Sequence, residues 1–393
     1  MPIRLPPGLP AAAALREEGI AAEEIGTSPP GALRIALVNL MPDKVTTETQ
    51  FVRLLGAASE TVSLSLFTAD GASAKRTPES HLARFYAPFA RLRADAVDGI
   101  IVTGAPLETI AYEEVRWWND LASLFDAAAA ARVPVLAVCW AAMAAAWHAR
   151  RIDKHALPRK AFGLFTQTVH DRGASLMQGI GPRYAVPVSR HATLRAEDFQ
   201  HSGARVLAAS ALTGVSIAED AARGVTMVLD HLEYDGETLI GEFLRDRAVA
   251  LPALPPSGLT REARADLPWR ATGHLVMRNW LGQVARAKAA RRPSDLLGWL
   301  LDGATVAGAD LVLHADPEAD PLPRLVEVAG MLGIRLSGIA RHPSGAMLTA
   351  ILAEGTSRDA AEALMARTLT LPGVCNAVLR GPGGFGATLR AAA

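Results

Sequence analysis

The chain has 393 residues, 40 of them basic and 40 acidic, and half are hydrophobic. That is material for roughly two domains with large cores, and zero formal charge gives no electrostatic reason to expect nucleic acid or an anionic membrane as a partner. Two cysteines, Cys139 and Cys375, are too few for a disulfide framework or a structural zinc site, so the chain reads as reduced and cytoplasmic, with no metal and no permanently bound cofactor.

The opening segment, MPIRLPPGLPAAAALREEGI, is broken by proline and lacks the unbroken apolar stretch of about 7–15 residues that a signal peptide needs. No run reaches the ~20 apolar residues that span a bilayer. From Leu33 the chain alternates apolar β-rich runs with helical patterns. The runs are LRIALVNL (33–40), VSLSLF (62–67), DGIIVTG (98–104) and VPVLAVC (133–139). They are continuously apolar, as parallel strands covered on both faces are. A helix is predicted over 47–55, with Thr47 and Gln50 as a capping box and Gly56 as a stop. The βαβα rhythm predicts a doubly wound α/β sheet, in which ligands bind beyond the C-terminal ends of the strands. Met41-Pro42-Asp43-Lys44, Gly104-Ala105-Pro106 and Cys139-Trp140 fall there.

Strands near 161–168, 183–189 and 224–231 follow, then helices near 237–246 and 271–290, with Pro252, Pro255 and Pro256 marking a loop between them. The predicted domains are 1–290, a linker over 291–304 that opens on Arg-Arg-Pro, and 305–393. The last contains strand 309–315, helix 321–332, two strands joined by a turn at His342-Pro343-Ser344-Gly345, a helix, and GVCNAVLR as final strand. This βαββαβ order is ferredoxin-like. The glycines of Gly381-Pro382-Gly383-Gly384-Phe385-Gly386 fit a dinucleotide-binding spacing, but too near the chain end to open a βαβ unit. They read as a tail.

Cys139 ends a strand and precedes a helical Ala-rich stretch. A strand–nucleophile–helix turn exposes a side chain at the sheet edge, and a helix N-terminus favours the thiolate. The Trp140 N–H is then placed to stabilise an oxyanion. The alternative is a small buried core cysteine. In an extended segment His231 and Glu233 share a face, so a carboxylate fixes the imidazole as in a catalytic triad. The alternative is a surface hydrogen bond. Arg245 suits a substrate carboxylate, or else a solvated ion pair with Glu242.

Taken together, ALVNLMPDKVTTETQFVRLLG, GIIVTGAPLETIAYEEVRWW, VLAVCWAAMAA, HLEYDGETLIGEFLRD and the PWR…NWL ending resemble the homoserine O-acyltransferase family, over about residues 1–287. The resemblance implies a fold like class I glutamine amidotransferases and acyl transfer from acyl-CoA to homoserine, feeding methionine biosynthesis. It implies Cys139 as acyl-enzyme nucleophile, His231 as general base and Glu233 as its orienter. Lys44 is implied to support the oxyanion, Arg245 to grip the homoserine carboxylate, and Lys160 and Ser189 to line the substrate pocket. In this family the residue after the Gly-Ala-Pro-x turn separates acetyl from succinyl users. Here it is Glu108, whose carboxylate would repel the distal carboxylate of succinate, so acetyl-CoA is the expected donor and succinyl-CoA the alternative.

The family pattern is departed from at Thr166, Gln167, Val188, Asp230 and Leu232, all expected to surround the acceptor, which keeps serine open as acceptor. A hydrolase acting on an amide is a further alternative. Residues 305–393 look similar to an ACT-type domain, implying an amino-acid effector or a module that only dimerises; a homodimer is the expected assembly.

Overall fold

The structure is a computed structural model that describes residues 3–24, 31–69, 76–248 and 254–291, and most of 310–390. It divides into two compact units, Met1–Ala289 and Ala290–Ala393. The first unit runs β1 (Ile3–Leu5), α1 (Pro10–Glu17), β2 (Ala22–Glu24), β3 (Leu33–Val38), α2 (Lys44–Gly56), β4 (Val62–Thr68), α3 (Glu79–Phe85), β5 (Tyr86–Pro88) and β6 (Gly99–Val102). It continues with α4 (Trp118–Ala130), β7 (Val135–Val138), α5 (Trp140–Arg150), β8 (His155–Val169), β9 (Arg183–Thr193), β10 (Arg205–Ser210), β11 (Gly214–Asp220) and β12 (Val225–Val228). Helices α6 (Thr238–Ala248), α7 (Arg261–Asp266) and α8 (Arg270–Ala290) close it.

Five parallel strands form the centre, in the order β4-β3-β6-β7-β12. This is the flavodoxin-like 2-1-3-4-5 order of a doubly wound α/β sheet. Strands β6, β7 and β12 are buried at every position, which explains their unalternating apolar sequences. Successive side chains still point to opposite faces. Ile35, Leu37, Leu136 and Val138 meet Phe51, Val52, Met277 and Trp280 from α2 and α8 on one face. Ala36, Val38, Val135 and Ala137 meet Leu121, Phe125 and the alanines of α5 on the other. Those alanines, from Ala141 to Ala146, are at most 2% exposed, so small side chains let α5 lie close on the sheet.

Beyond β12 the sheet turns antiparallel, through β11, β10, β8 and β9. The hairpin β10–β11 and the three-residue strands β1, β2 and β5 have no counterpart among the sequence expectations. β10 is Ala-rich and weak in β propensity, and three residues are too few to show a period. Helix α2 starts at Lys44 instead of 47. Asp43 is its N-cap, its carboxylate accepting from the Thr46 N–H, a stronger cap than the expected Thr47.

In the second unit, strands Asp310–Ala315, Leu336–Arg341, Met347–Leu352, Val374–Gly381 and Phe385–Arg390 accompany helices Leu322–Met331 and Arg358–Thr368. The sheet is antiparallel throughout, and its first four strands stand in the ferredoxin-like order 2-3-1-4. The expected final strand is not the last. Phe385–Arg390 pairs antiparallel with Val374–Gly381, with Gly381 opposite Phe385, so the chain past the expected final strand forms a further strand and is not a tail. The expected turn at 342–345 and the linker from 292 to 304 lie outside the described residues.

Candidate active site

Cys139 stands between β7 and α5 with φ 52° and ψ −115°, a region that residues bearing a Cβ rarely occupy, at a cost on the order of 1–3 kcal/mol. Its N–H donates to the Val228 carbonyl at 2.8 Å, tying the turn to β12. The residue is 5% exposed. The Trp140 side chain is wholly buried between Tyr112 and Trp117, so only its backbone N–H, in the first turn of α5, can serve an oxyanion. Gly104, at the end of β6, comes so close that a Cβ there would lie 3.0 Å from the Cys139 Cβ.

His231 follows β12. Its N–H donates to the Pro187 carbonyl at 2.9 Å, and its ring stacks on Tyr234 with centroids 4.1 Å apart. Nδ1 lies 2.7 Å from Glu233 Oε1, and the charge of the Cys139 side chain acts on the ring. The expected extended segment is a turn in which the Tyr234 N–H reaches the His231 carbonyl, because β12 stops at Val228; the turn still brings imidazole and carboxylate together. Burial pulls the His231 pKa down, but Glu233 and Cys139 outweigh it and hold it well above the ordinary value. Behind Glu233 lies a small apolar cavity lined by Phe51, Leu54, Val138, Val228 and Leu232 among others, a low-dielectric wall that strengthens the pair. Cys139, His231 and Glu233 therefore stand together, the imidazole hydrogen-bonded to Glu233 and coupled to Cys139 by charge.

A second cluster lies beyond Tyr234. The Tyr234 hydroxyl donates to Glu242 Oε1 at 2.7 Å, and Ser189 Oγ to Glu242 Oε2 at 2.5 Å. Lys160 Nζ reaches Asp246 at 3.1 Å and Glu242 at 3.5 Å. Arg245 pairs with the adjacent Asp246 at 2.6 Å and not with Glu242. Lys160, Ser189 and Arg245 are thus gathered around two acids of α6. Sequence reasoning missed Tyr234, Glu242 and Asp246 as site residues; the signal was the i, i+3, i+4 spacing of Glu242, Arg245 and Asp246 on one helix.

Lys44, the first residue of α2, and Glu108, on a turn, follow the neighbouring strands β3 and β6. Lys44 is 1% exposed and donates from Nζ to the carbonyls of Asn39 at 2.8 Å and Met41 at 3.0 Å. Burial lowers its pKa to about 8, and Glu48 opposes the drop. Leu40 N–H donates to Thr103 Oγ1, which reaches the Gly104 carbonyl, joining this turn to the one beside Cys139. Glu108 is half-buried and its charge acts on Lys154, whose Nζ lies 4.0 Å from the Tyr112 ring centroid.

Of the residues that depart from the family pattern, all but Thr166 are buried inside the fold. Val188 is fully buried. Gln167 donates to Thr213 at 3.0 Å. Asp230 pairs with Arg190, a guanidinium without solvent exposure that also donates to the carbonyls of Leu229, Thr213 and Val215. Among the described residues no group of three or more His, Cys, Asp or Glu could hold a metal ion, and no helix is long and apolar enough to cross a membrane.

Residues 2–290 match the family model described as homoserine O-succinyltransferase. A protein of Novosphingobium aromaticivorans named homoserine O-acetyltransferase is 42% identical over 288 residues, covering 72% of this chain and 96% of that one. One of the same name from Chelativorans sp. is 37% identical, covering 72% and 94%. Among solved structures, a glutamine amidotransferase from Thermotoga maritima aligns with TM-score 0.45 and 11% identity over 65% of this chain and 99% of that one. A glutamine amidotransferase from Methylobacillus flagellatus aligns with TM-score 0.44 and 13% identity over 65% and 95%. With a family model spanning the whole first unit and relatives covered almost end to end, the chain belongs to the homoserine O-succinyltransferase family.

Proposed function

We propose that the chain moves an acetyl group from acetyl-CoA to the side-chain hydroxyl of homoserine, in two steps through an acyl-cysteine. The observation that carries this is the Cys139–His231–Glu233 set at the C-terminal edge of the sheet. Glu233 and Cys139 both favour the imidazolium, and that is the partner which favours a thiolate. The thiolate attacks the thioester carbonyl, the Trp140 N–H and Lys44 ammonium meet the oxyanion, and the CoA thiolate leaves with the proton from His231. Acylation removes the negative sulfur, so His231 loses part of what raised its pKa and becomes a base. It takes the proton of the acceptor hydroxyl, the new ester bond forms, and the thiolate leaves.

Arg245 is suited to the acceptor carboxylate, while Ser189, Lys160 and Glu242 surround the rest of the amino acid. Val188 and Gln167 are buried in the sheet and Asp230 is held by Arg190, which supports homoserine over serine as the acceptor. Glu108 supports acetyl over succinyl. The reaction needs no permanently bound cofactor.

The test is intact-protein mass after mixing with acetyl-CoA or succinyl-CoA, with the adduct mapped to a peptide. An acetyl increment on Cys139 that homoserine discharges is the expected result. If neither ester labels Cys139 the reading fails, and discharge by serine instead would move the acceptor.

A further inference from the structure

Glu48 is the acid that the reaction sequence leaves unused. It lies one turn along α2 from Lys44 and has no solvent exposure. Its Oε2 accepts from the Tyr86 hydroxyl at 2.8 Å and faces His81 Nε2 at 3.1 Å, and its Oε1 is buried without a hydrogen-bond partner. A buried carboxylate is retained only where another group depends on it or compensates it. Tyr86 links it onward, because its oxygen also accepts from Asn39 Nδ2 at 3.0 Å. The same Nδ2 reaches the Lys44 carbonyl at 3.2 Å, and the Asn39 carbonyl takes the Lys44 ammonium at 2.8 Å. The Lys44 N–H donates to Thr77 Oγ1 at 3.0 Å. Backbone and ammonium of Lys44 are therefore both fixed.

We infer that Glu48 is the positioning residue for Lys44, holding its ammonium in place for the acyl oxyanion through Tyr86 and Asn39. The inference rests on the proposed role of Lys44. An ammonium has three donors; the carbonyls of Asn39 and Met41 use two, and the third is left for the oxyanion. Carbonyl dipoles alone do not offset desolvation of a lysine. The groups facing this pocket are Asp43 at the N-cap of α2, Glu48 within it, His81 from α3 and Tyr86 from β5. Of these, Glu48 is the one whose charge opposes the effect of burial on Lys44.

The experiment measures the rate of Cys139 acetylation by acetyl-CoA against pH in the full chain, for wild type, Lys44→Met, Glu48→Gln and Tyr86→Phe. Wild type loses rate as pH rises through about 8, where Lys44 gives up its proton. Lys44→Met slows acetylation by roughly 10²-fold, as loss of an oxyanion donor does. Glu48→Gln slows it about tenfold and moves the alkaline limb lower by about one pH unit, with the KM for acetyl-CoA unchanged. Tyr86→Phe gives a smaller loss in the same direction, and it decides the matter if Glu48→Gln does not fold. A purely structural Glu48 would lower the melting temperature and leave the limb in place. If Lys44→Met is slow but Glu48→Gln and Tyr86→Phe keep the wild-type profile, the inference falls and the proposed function stands. If Lys44→Met is as fast as wild type, the role of Lys44 falls, and the inference with it.

Discussion

Cys139 could be read from the sequence because an apolar strand, one nucleophile and an Ala-rich helix follow one another without interruption, and that order is local. His231 and Glu233 were legible for the same reason, being two residues apart. Glu48, Tyr86, Glu242 and Asp246 were not. Their partners lie far away in the chain, as with Ser189 and Glu242 or Tyr86 and Glu48, and no spacing rule reaches across strands. The His231–Glu233 pair carries a pH prediction. A folded pKa raised above the ordinary 6.5 contributes stability that is fully present below that value and is lost as pH rises through the folded value. Glu233→Gln removes a cause of the elevation, so its destabilisation in urea unfolding should be larger at about pH 6 than at about pH 9. Its acetylation rate should fall by about 10²-fold or more. An equal stability loss at both pH values would contradict the assignment.

At the scale of elements, the parallel strands announced themselves through continuous apolar runs, and of the antiparallel extension β8 and β9 were expected near 161–168 and 183–189, whereas β10 and β11 were not. β10 and β11 are short and rich in small residues, and the long β8–β9 pair carries polar residues along β8. What ties this extension to the turn that carries His231 is Arg190 on β9, which reaches Asp230 beside His231 and the carbonyls of Thr213 and Val215 around the start of β11. Removing one partner of a buried pair leaves an uncompensated charge, at about 3–5 kcal/mol. Asp230→Ala should lower stability by that amount, as read from denaturant unfolding, and Asp230→Asn by clearly less because the amide oxygen still accepts. A loss below about 1 kcal/mol for Asp230→Ala would mean the guanidinium finds other compensation.

For the whole molecule, the family match ends at residue 290 and the first compact unit at Ala289. The curated relatives are covered almost to their full length without the second unit. A chain truncated after Ala290 is therefore predicted to fold and to acetylate Cys139 at close to the full-chain rate. A collapse of that rate would make the second unit part of the enzyme. We propose that the second unit responds to an amino acid of sulfur metabolism. Each unit has its own hydrophobic core, one including Phe51, Leu136 and Trp280, the other including Leu311, Leu325 and Leu364. Cooperativity follows shared cores, so heating should melt the chain in two calorimetric steps and not one. A single melting temperature would then describe neither unit. An effector such as methionine would move only the step that belongs to the second, which makes the heat-capacity trace itself a map of where a small molecule binds.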